Sequence, residues 1–383
     1  MRRGLAAAAL AMLFGLSLVG CSTLDSINPF ASKGPKMAEL LPIKTTVEAH
    51  IVWREKVGKS DVYAFTPAIV GRSVYAAGND GNLIRVDDGK LVWKINAGQA
   101  LSGGVGANAE MVVVGSPKGE LLAFASADGK LLWKAKTTSE ILSPPVLGDG
   151  FVVARSGDNR LAAYDAVDGK RKWIYQRPTP ALSLRVTTAP VIDQQYVFAG
   201  FPGGKLIAIN SANGAAVWDG TVALPKGATE LDRVADITSP PVIAGRLICA
   251  VAFQGRVACF ELGNGNLAWA RDMSSAVGLA IDARYLYVSD DKGAVHALDL
   301  ASGASIWKQD KLLNRRVTAP QALRGLVAVA DIQGVVHFLN RDDGSFVARV
   351  TTDGSPVVAP LQALSGNLLV QTSNGGVFAI EAN

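Results

Sequence analysis

The chain has 383 residues, 49% of them hydrophobic and 19% charged, with a formal net charge of +5. So much apolar surface excludes disorder as the dominant state, and three cysteines, Cys21, Cys249 and Cys259, are too few for a disulfide-dense scaffold. Length alone suggests two or three domains, unless repeats organise the chain into one large architecture.

Met1-Arg2-Arg3 is a basic head, and residues 4–20 carry no charge. A positive head, an apolar run and then small residues are the order of a secretory signal peptide, here residues 1–20. The run closes Leu18-Val19-Gly20-Cys21, which resembles the lipobox of bacterial lipoproteins. That resemblance implies cleavage before Cys21 and its lipidation. Several acyl chains, at roughly 0.8 kcal/mol per buried methylene, anchor stably where one does not. Ser22 follows the cysteine where an aspartate could stand, and this resembles lipoproteins sent on to the outer membrane. A lipid-anchored protein at the outer membrane, facing the periplasm, is therefore expected.

Removing residues 1–20 deletes Arg2 and Arg3 and no acid, so 36 basic against 33 acidic residues leave +3. Without a long Lys/Arg run, nucleic acid is not an expected partner. Residues 21–45 contain Ser, Pro and Lys with weak periodicity and read as the lipidated cysteine and a flexible tether. The folded body then spans residues 46–383.

Six tryptophans stand four residues after a glycine, from Gly89/Trp93 through Gly129/Trp133, Gly169/Trp173, Gly214/Trp218 and Gly265/Trp269 to Gly303/Trp307. Asp343-Gly344 repeats the pattern with Ala348 in the tryptophan position, and Trp53 lies near the start of the body. Spacings from Trp53 to Ala348 are 40, 40, 40, 45, 51, 38 and 41. Such a period signals repeat architecture. Within each unit, apolar β-favouring runs alternate with Gly-Asp and Asp-Gly punctuation, the mark of successive hairpins. Four short antiparallel strands per unit make a propeller blade.

The last unit ends at Val377-Phe378-Ala379-Ile380-Glu381 without its fourth strand, and Ala49-His50-Ile51-Val52-Trp53 reads as that missing strand. Seven complete units plus this split one predict an all-β, eight-bladed propeller. Its ring is closed by the N-terminal strand, which removes an open sheet edge.

One tryptophan per blade at a fixed register reads as inter-blade docking, with each indole N–H needing a backbone acceptor. Asp165, Asn210, Glu261, Asp299 and Asn340 recur four residues before the turn glycine, where polar groups normally bond the turn backbone. His50, His296 and His337 have no metal-ligand spacing. Cys249 and Cys259 face each other across a predicted hairpin, either as a disulfide or as two buried thiols. No metal, cofactor or catalytic group is assigned.

The Asp-x-x-x-Gly-x-x-x-Trp pattern, clearest at Asp165–Trp173 and Asp299–Trp307, resembles the blades of pyrroloquinoline-quinone dehydrogenases. Those enzymes hold the quinone over calcium at the propeller axis, beside a disulfide of adjacent cysteines. This chain lacks a Cys-Cys pair and the long insertions around such a site, so the resemblance covers the scaffold and not the chemistry. A quinone-dependent oxidoreductase stays as the alternative activity, and a glycan- or peptidoglycan-binding propeller as the alternative binding role.

Function in repeat proteins tends to sit where one unit departs from its neighbours. From a blade's tryptophan position to the next blade's opening proline is 12 residues for Trp133–Pro145 and 13 for Trp307–Pro320, but 17 for Trp173–Pro190 and 23 for Trp218–Pro241. Two insertions therefore sit in adjacent blade-to-blade connections on one face. The first carries Leu182, Leu184 and Arg185 behind Pro178 and Pro180, and the second runs Glu230-Leu231-Asp232-Arg233-Val234-Ala235-Asp236. Apolar residues beside Arg and Asp on stiffened loops fit a protein-binding hot spot.

Lipobox, tether, eight blades and these two loops together resemble the BamB family, the propeller lipoproteins of the outer-membrane β-barrel assembly machinery. The likeness covers essentially the whole mature chain. It implies that Leu182, Leu184, Arg185 and Asp236 contact the periplasmic POTRA domains of the central barrel subunit. Thr238 stands where the family pattern can show a further acid. Unfolded outer-membrane proteins are the expected clients, and exposed strand edges could engage them.

Overall fold

Each repeat folds as four short antiparallel strands because its two middle runs are apolar throughout and its outer run alternates. In the third blade, strands Phe151–Arg155 and Leu161–Asp165 are buried on both faces, whereas Arg171–Tyr175 buries chiefly Trp173. The computed structural model describes residues 35–185 and 187–383. The signal peptide, the lipidation candidate Cys21 and the tether through residue 34 lie outside the described residues.

Among the described residues, thirty-two strands form eight four-stranded sheets. Blades 1 to 7 are consecutive in sequence, each strand pairing with the next. In blade 8 the N-terminal strand Ala49–Lys56 pairs along Gly376–Ala382 at the outer edge of the last three strands. The predicted eight blades and the predicted closure are both observed. Since neighbouring strands alternate in direction, blade-to-blade connections share one face with the turns between second and third strands. The remaining turns lie on the opposite face.

The tryptophans seal the junctions. Indole N–H groups donate across to the next blade, from Trp93 to Ser126 O (3.0 Å), Trp133 to Ala166 O (2.8 Å), Trp173 to Ser211 O (2.7 Å), Trp218 to Leu262 O (3.0 Å), Trp269 to Leu300 O (2.9 Å) and Trp307 to Arg341 O (2.7 Å). Gly265 shows what its turn demands. Its φ is +73°, and a Cβ there would lie 2.6 Å from the Trp218 ring, so glycine meets a backbone and a packing requirement together. Trp53 of blade 8 packs in the same way on Gly89 of blade 1, where a Cβ would lie 2.8 Å from its ring.

The Asp/Asn positions ahead of these turns act as expected: Asp165 Oδ1 accepts from Val167 N (2.9 Å), Asn210 Oδ1 from Ala212 N (3.0 Å), Asp299 Oδ1 from Ser302 N (2.9 Å) and Asn340 Oδ1 from Asp342 N (2.8 Å). Glu261, one methylene longer, differs. Its Oε2 accepts from the Asn264 side chain at 2.9 Å.

The junction between blades 7 and 8 explains Ala348. The third strand of blade 8 ends the chain and its fourth begins at Ala49, so no glycine turn exists for a tryptophan to meet. Glu48 and Asn383 exchange backbone hydrogen bonds instead, both 3.0 Å. Ala348 is buried, and Val47, Ala49 and Ile51 pack on its cluster.

Upstream residues follow blade 7. Ala38 N donates to Leu313 O (2.9 Å) and Thr46 N to Val347 O (3.0 Å), while Arg315 and Arg349 donate to the carbonyls of Ala38 (2.8 Å) and Leu41 (2.5 Å). Residues 38–45, the end of the segment read as tether, are thus fastened to the ring. Both arginines belong to a buried network. Arg315 Nε donates to Asp331 Oδ2 at 2.6 Å, His337 Nε2 lies 3.1 Å from the same oxygen, and Arg349 Nε donates to His337 Nδ1 at 3.2 Å. A ring nitrogen that accepts is unprotonated, so His337 is neutral with its proton on Nε2. Burial is the main force lowering its pKa, against the pull of Asp331. Burial alone would raise the pKa of Asp331, but hydrogen bonds from His337 and Arg315 outweigh it and hold the carboxyl low.

Candidate partner-docking surface

Both insertions lie where the spacing placed them, in the connections from blade 3 to 4 and from blade 4 to 5, on one face. They meet through Asp236. Its Oδ2 accepts from Leu184 N (2.6 Å) in the first insertion, and its Oδ1 from Gly203 N (2.9 Å) in a blade 4 turn. Backbone N–H bonds to a carboxylate are charge-assisted and strong. Asp236 is fully buried, so in this structure its carboxylate positions the first loop and presents no oxygen to a partner.

A buried cation lies beneath the same loops. Arg155 is 2% exposed, donates to Gly200 O (2.6 Å) and Asn159 Oδ1 (3.1 Å), and stands 5.0 Å from the Phe201 ring centroid. Burial lowers its pKa to about 10, and the charge of Asp236 opposes that fall. Arg177 approaches Phe201 at 5.8 Å. The Asp236 carboxylate and the Arg155 guanidinium therefore fix the base of the surface.

Above that base the predicted residues divide. Leu182 is 38% exposed, Leu184 is half-buried, and Arg185 is exposed with Nη2 at 3.4 Å from Glu140 Oε1. Glu140 also accepts from Ser139, which lowers its pKa first of all, with a further contribution from Arg185. The second insertion folds into a turn in which Thr229 and Asp232 cap each other, Thr229 N to Asp232 Oδ2 at 3.1 Å and Asp232 N to Thr229 Oγ1 at 3.2 Å. That turn holds Leu231 at 69% exposure, and Leu224 nearby is 62% exposed. Thr238 donates to Ala276 O (2.9 Å). Sequence reasoning missed Glu140 in the connection from blade 2 to 3, Arg155 at the end of a blade 3 strand, and Leu224, which follows no repeat register, whereas Leu231 lies in the insertion that the spacing singled out.

The propeller axis encloses a channel of about 980 Å³ lined by the first strands and their approaches, including Thr66, Pro145, Thr188, Ser239 and Pro320. Among the described residues no Asp, Glu, Lys, Arg or His lines it. A quinone held over a divalent cation needs carboxylate ligands, so this lining does not fit that cofactor. Cys249 and Cys259 form a disulfide on directly paired positions of the two middle strands of blade 5, fully buried and away from the axis. The open alternative of two free thiols is thereby decided for the disulfide.

A family model described as outer membrane protein assembly factor BamB matches residues 79–309. Curated relatives named outer membrane protein assembly factor BamB include one from Bordetella pertussis, 44% identical over 96% of this chain and 95% of its own length. One from Pseudomonas aeruginosa is 42% identical over 95% of this chain and 96% of its own. The crystal structure of BamB from Moraxella catarrhalis superposes with a TM-score of 0.82 at 25% identity, covering 87% of this chain and all of that one. The quinohemoprotein alcohol dehydrogenase ADHIIG from Pseudomonas putida superposes at a TM-score of 0.68 with 14% identity, covering 88% of this chain and 77% of that one, a likeness of fold alone. With a family model over more than half its length and relatives above 40% identity along nearly all of it, the chain belongs to the BamB family.

Proposed function

We propose that this chain is a non-catalytic adaptor of outer-membrane protein assembly, lipid-anchored through Cys21 and facing the periplasm. Its tether leads from the acylated cysteine toward the ring, and the propeller docks the central barrel subunit through that subunit's POTRA domains. Leu182, Leu184 and Arg185 make the contact, while Asp236 sets the loop that carries them. Unfolded barrel proteins are the clients whose folding and insertion this assists. Family membership supports the assembly role, and the axial channel without ionisable groups speaks against a quinone enzyme.

The observation that carries the docking reading is the joining of both insertions by one buried carboxylate, which presents Leu182 and Arg185 on a fixed base. Hot spots concentrate where apolar and arginine anchors are preorganised. Titration of purified POTRA domains into the Leu184→Ala/Arg185→Ala variant should show affinity lower by about 2–4 kcal/mol. An unchanged affinity with an intact fold would remove these residues from the interface.

A further inference from the structure

Outside blade 7, the outer strand of each blade has one edge unpaired among the described residues, and the residues one and three places after the tryptophan are exposed beside it apart from Thr221. Around the ring these positions are not equivalent. On adjacent blades 8, 1 and 2 they are Arg54, Lys56, Lys94, Asn96, Lys134 and Lys136, five cations and no acid. On blades 4 and 5 they are Asp219, Thr221, Ala270 and Asp272, two acids and no cation.

Edge lysines ordinarily deter strand-to-strand aggregation. That role would apply to every open edge alike, and at this register the cations gather on one flank. Arg54, Lys56, Lys94 and Lys134 are exposed with no ion-pair partner among the described residues. Aliphatic side chains alternate with them on the same pleats, Val52 at 48%, Val92 at 49% and Leu132 at 49% exposure. Blade 7 offers the contrast. There the corresponding Val347 is buried by the chain's own residues 46–47, and Arg349 is spent on Leu41.

We propose that the flank formed by blades 8, 1 and 2 rests on an anionic phospholipid surface. The cations face lipid phosphates, and Val52, Val92 and Leu132 lie against the headgroup boundary. Cations near such a surface gain attraction that salt screens, and interleaved apolar groups suit the interface better than bulk water. The same register is aliphatic and exposed on blades 4 and 6, at Val217 and Ile306, so the charge sets this flank apart; an acidic protein is the rival occupant and would bind it without vesicles. The inference rests on the outer-membrane placement proposed above, but not on the POTRA contact.

The test uses the mature chain from residue 21 with Cys21→Ser, so that no acyl anchor contributes, and sedimentation with phosphatidylcholine vesicles with or without phosphatidylglycerol. Binding should require phosphatidylglycerol and fall at high salt. Arg54→Glu/Lys94→Glu/Lys134→Glu should weaken it about tenfold or more. A control with the same charge change on blade 6, Lys292→Glu/Lys308→Glu/Lys311→Glu, should leave it within about threefold. Equal binding to neutral vesicles, or equal loss in both triple variants, would overturn the proposal. So would a flank variant that binds vesicles normally but loses an acidic protein partner. POTRA affinity measured on the same flank variant should be unchanged, which separates failure of this inference from failure of the docking reading.

Discussion

Two buried aspartates anchor two regions of the connection-bearing face, and the regions have opposite fates. Asp236, between blades 4 and 5, binds only backbone N–H groups and holds a loop whose Leu182 and Arg185 stay exposed. Asp331, in blade 7, is locked by Arg315 and His337, and the arginines of its network hold the chain's own residues 38–41 over that edge. One carboxylate serves an open surface and the other a covered one. A buried acid therefore does not by itself mark an interface; what its partners leave uncovered does.

The largest expected effect tests the covered side. Asp331→Ala leaves Arg315 buried without its counter-ion and should cost about 3–5 kcal/mol in denaturant unfolding, with POTRA affinity unchanged for the folded fraction. Asp236→Ala should do both things at once. Loss of its acceptors should lower stability by about 1–3 kcal/mol and also weaken POTRA binding, whereas Arg185→Ala should weaken binding alone. An Asp236→Ala variant with normal affinity would break the comparison.

Restoring the repeat consensus sharpens it further. Ala348→Trp should destabilise by about 1–3 kcal/mol because Val47 and Ala49 already occupy the neighbouring space. A gain in thermal stability would contradict that packing.

The smallest effect is the pH dependence. His337 is held neutral with its pKa below the usual 6.5, so below that pH the unfolded chain binds a proton that the native chain refuses. Stability should fall as pH drops below about 6.5, by at most about 1.4 kcal/mol per unit from this group. Asp331, also depressed, adds loss only at lower pH, below the ordinary carboxylate range. His337→Gln should flatten the slope between about pH 5 and 6.5, and an unchanged slope would assign it to other groups.

Blade number, ring closure and tryptophan docking were legible because each is written in a spacing that repeats. The turn glycine and the tryptophan four residues on recur so regularly that their partner across the junction follows from the fold. The insertions were legible as departures from that spacing. Burial of Asp236 was not, because its partners Leu184 and Gly203 lie 52 and 33 residues away with no register linking them. Still less so was the fastening of residues 38–45, which depends on Arg315 and Arg349, 277 and 308 residues from the carbonyls they hold. Polar tether residues look alike in sequence whether or not a distant arginine captures their backbone.

The central claim is that the connection-bearing face between blades 3 and 5 meets the central barrel subunit. A photo-crosslinker placed in intact cells at position 182, and separately at position 167, tests it most directly. Both sites are exposed and flank the same outer strand, at its two opposite ends. Position 182 should trap that subunit through its periplasmic domains, and position 167 should not. Capture from position 167 alone, or of an unrelated protein from position 182, would contradict the account.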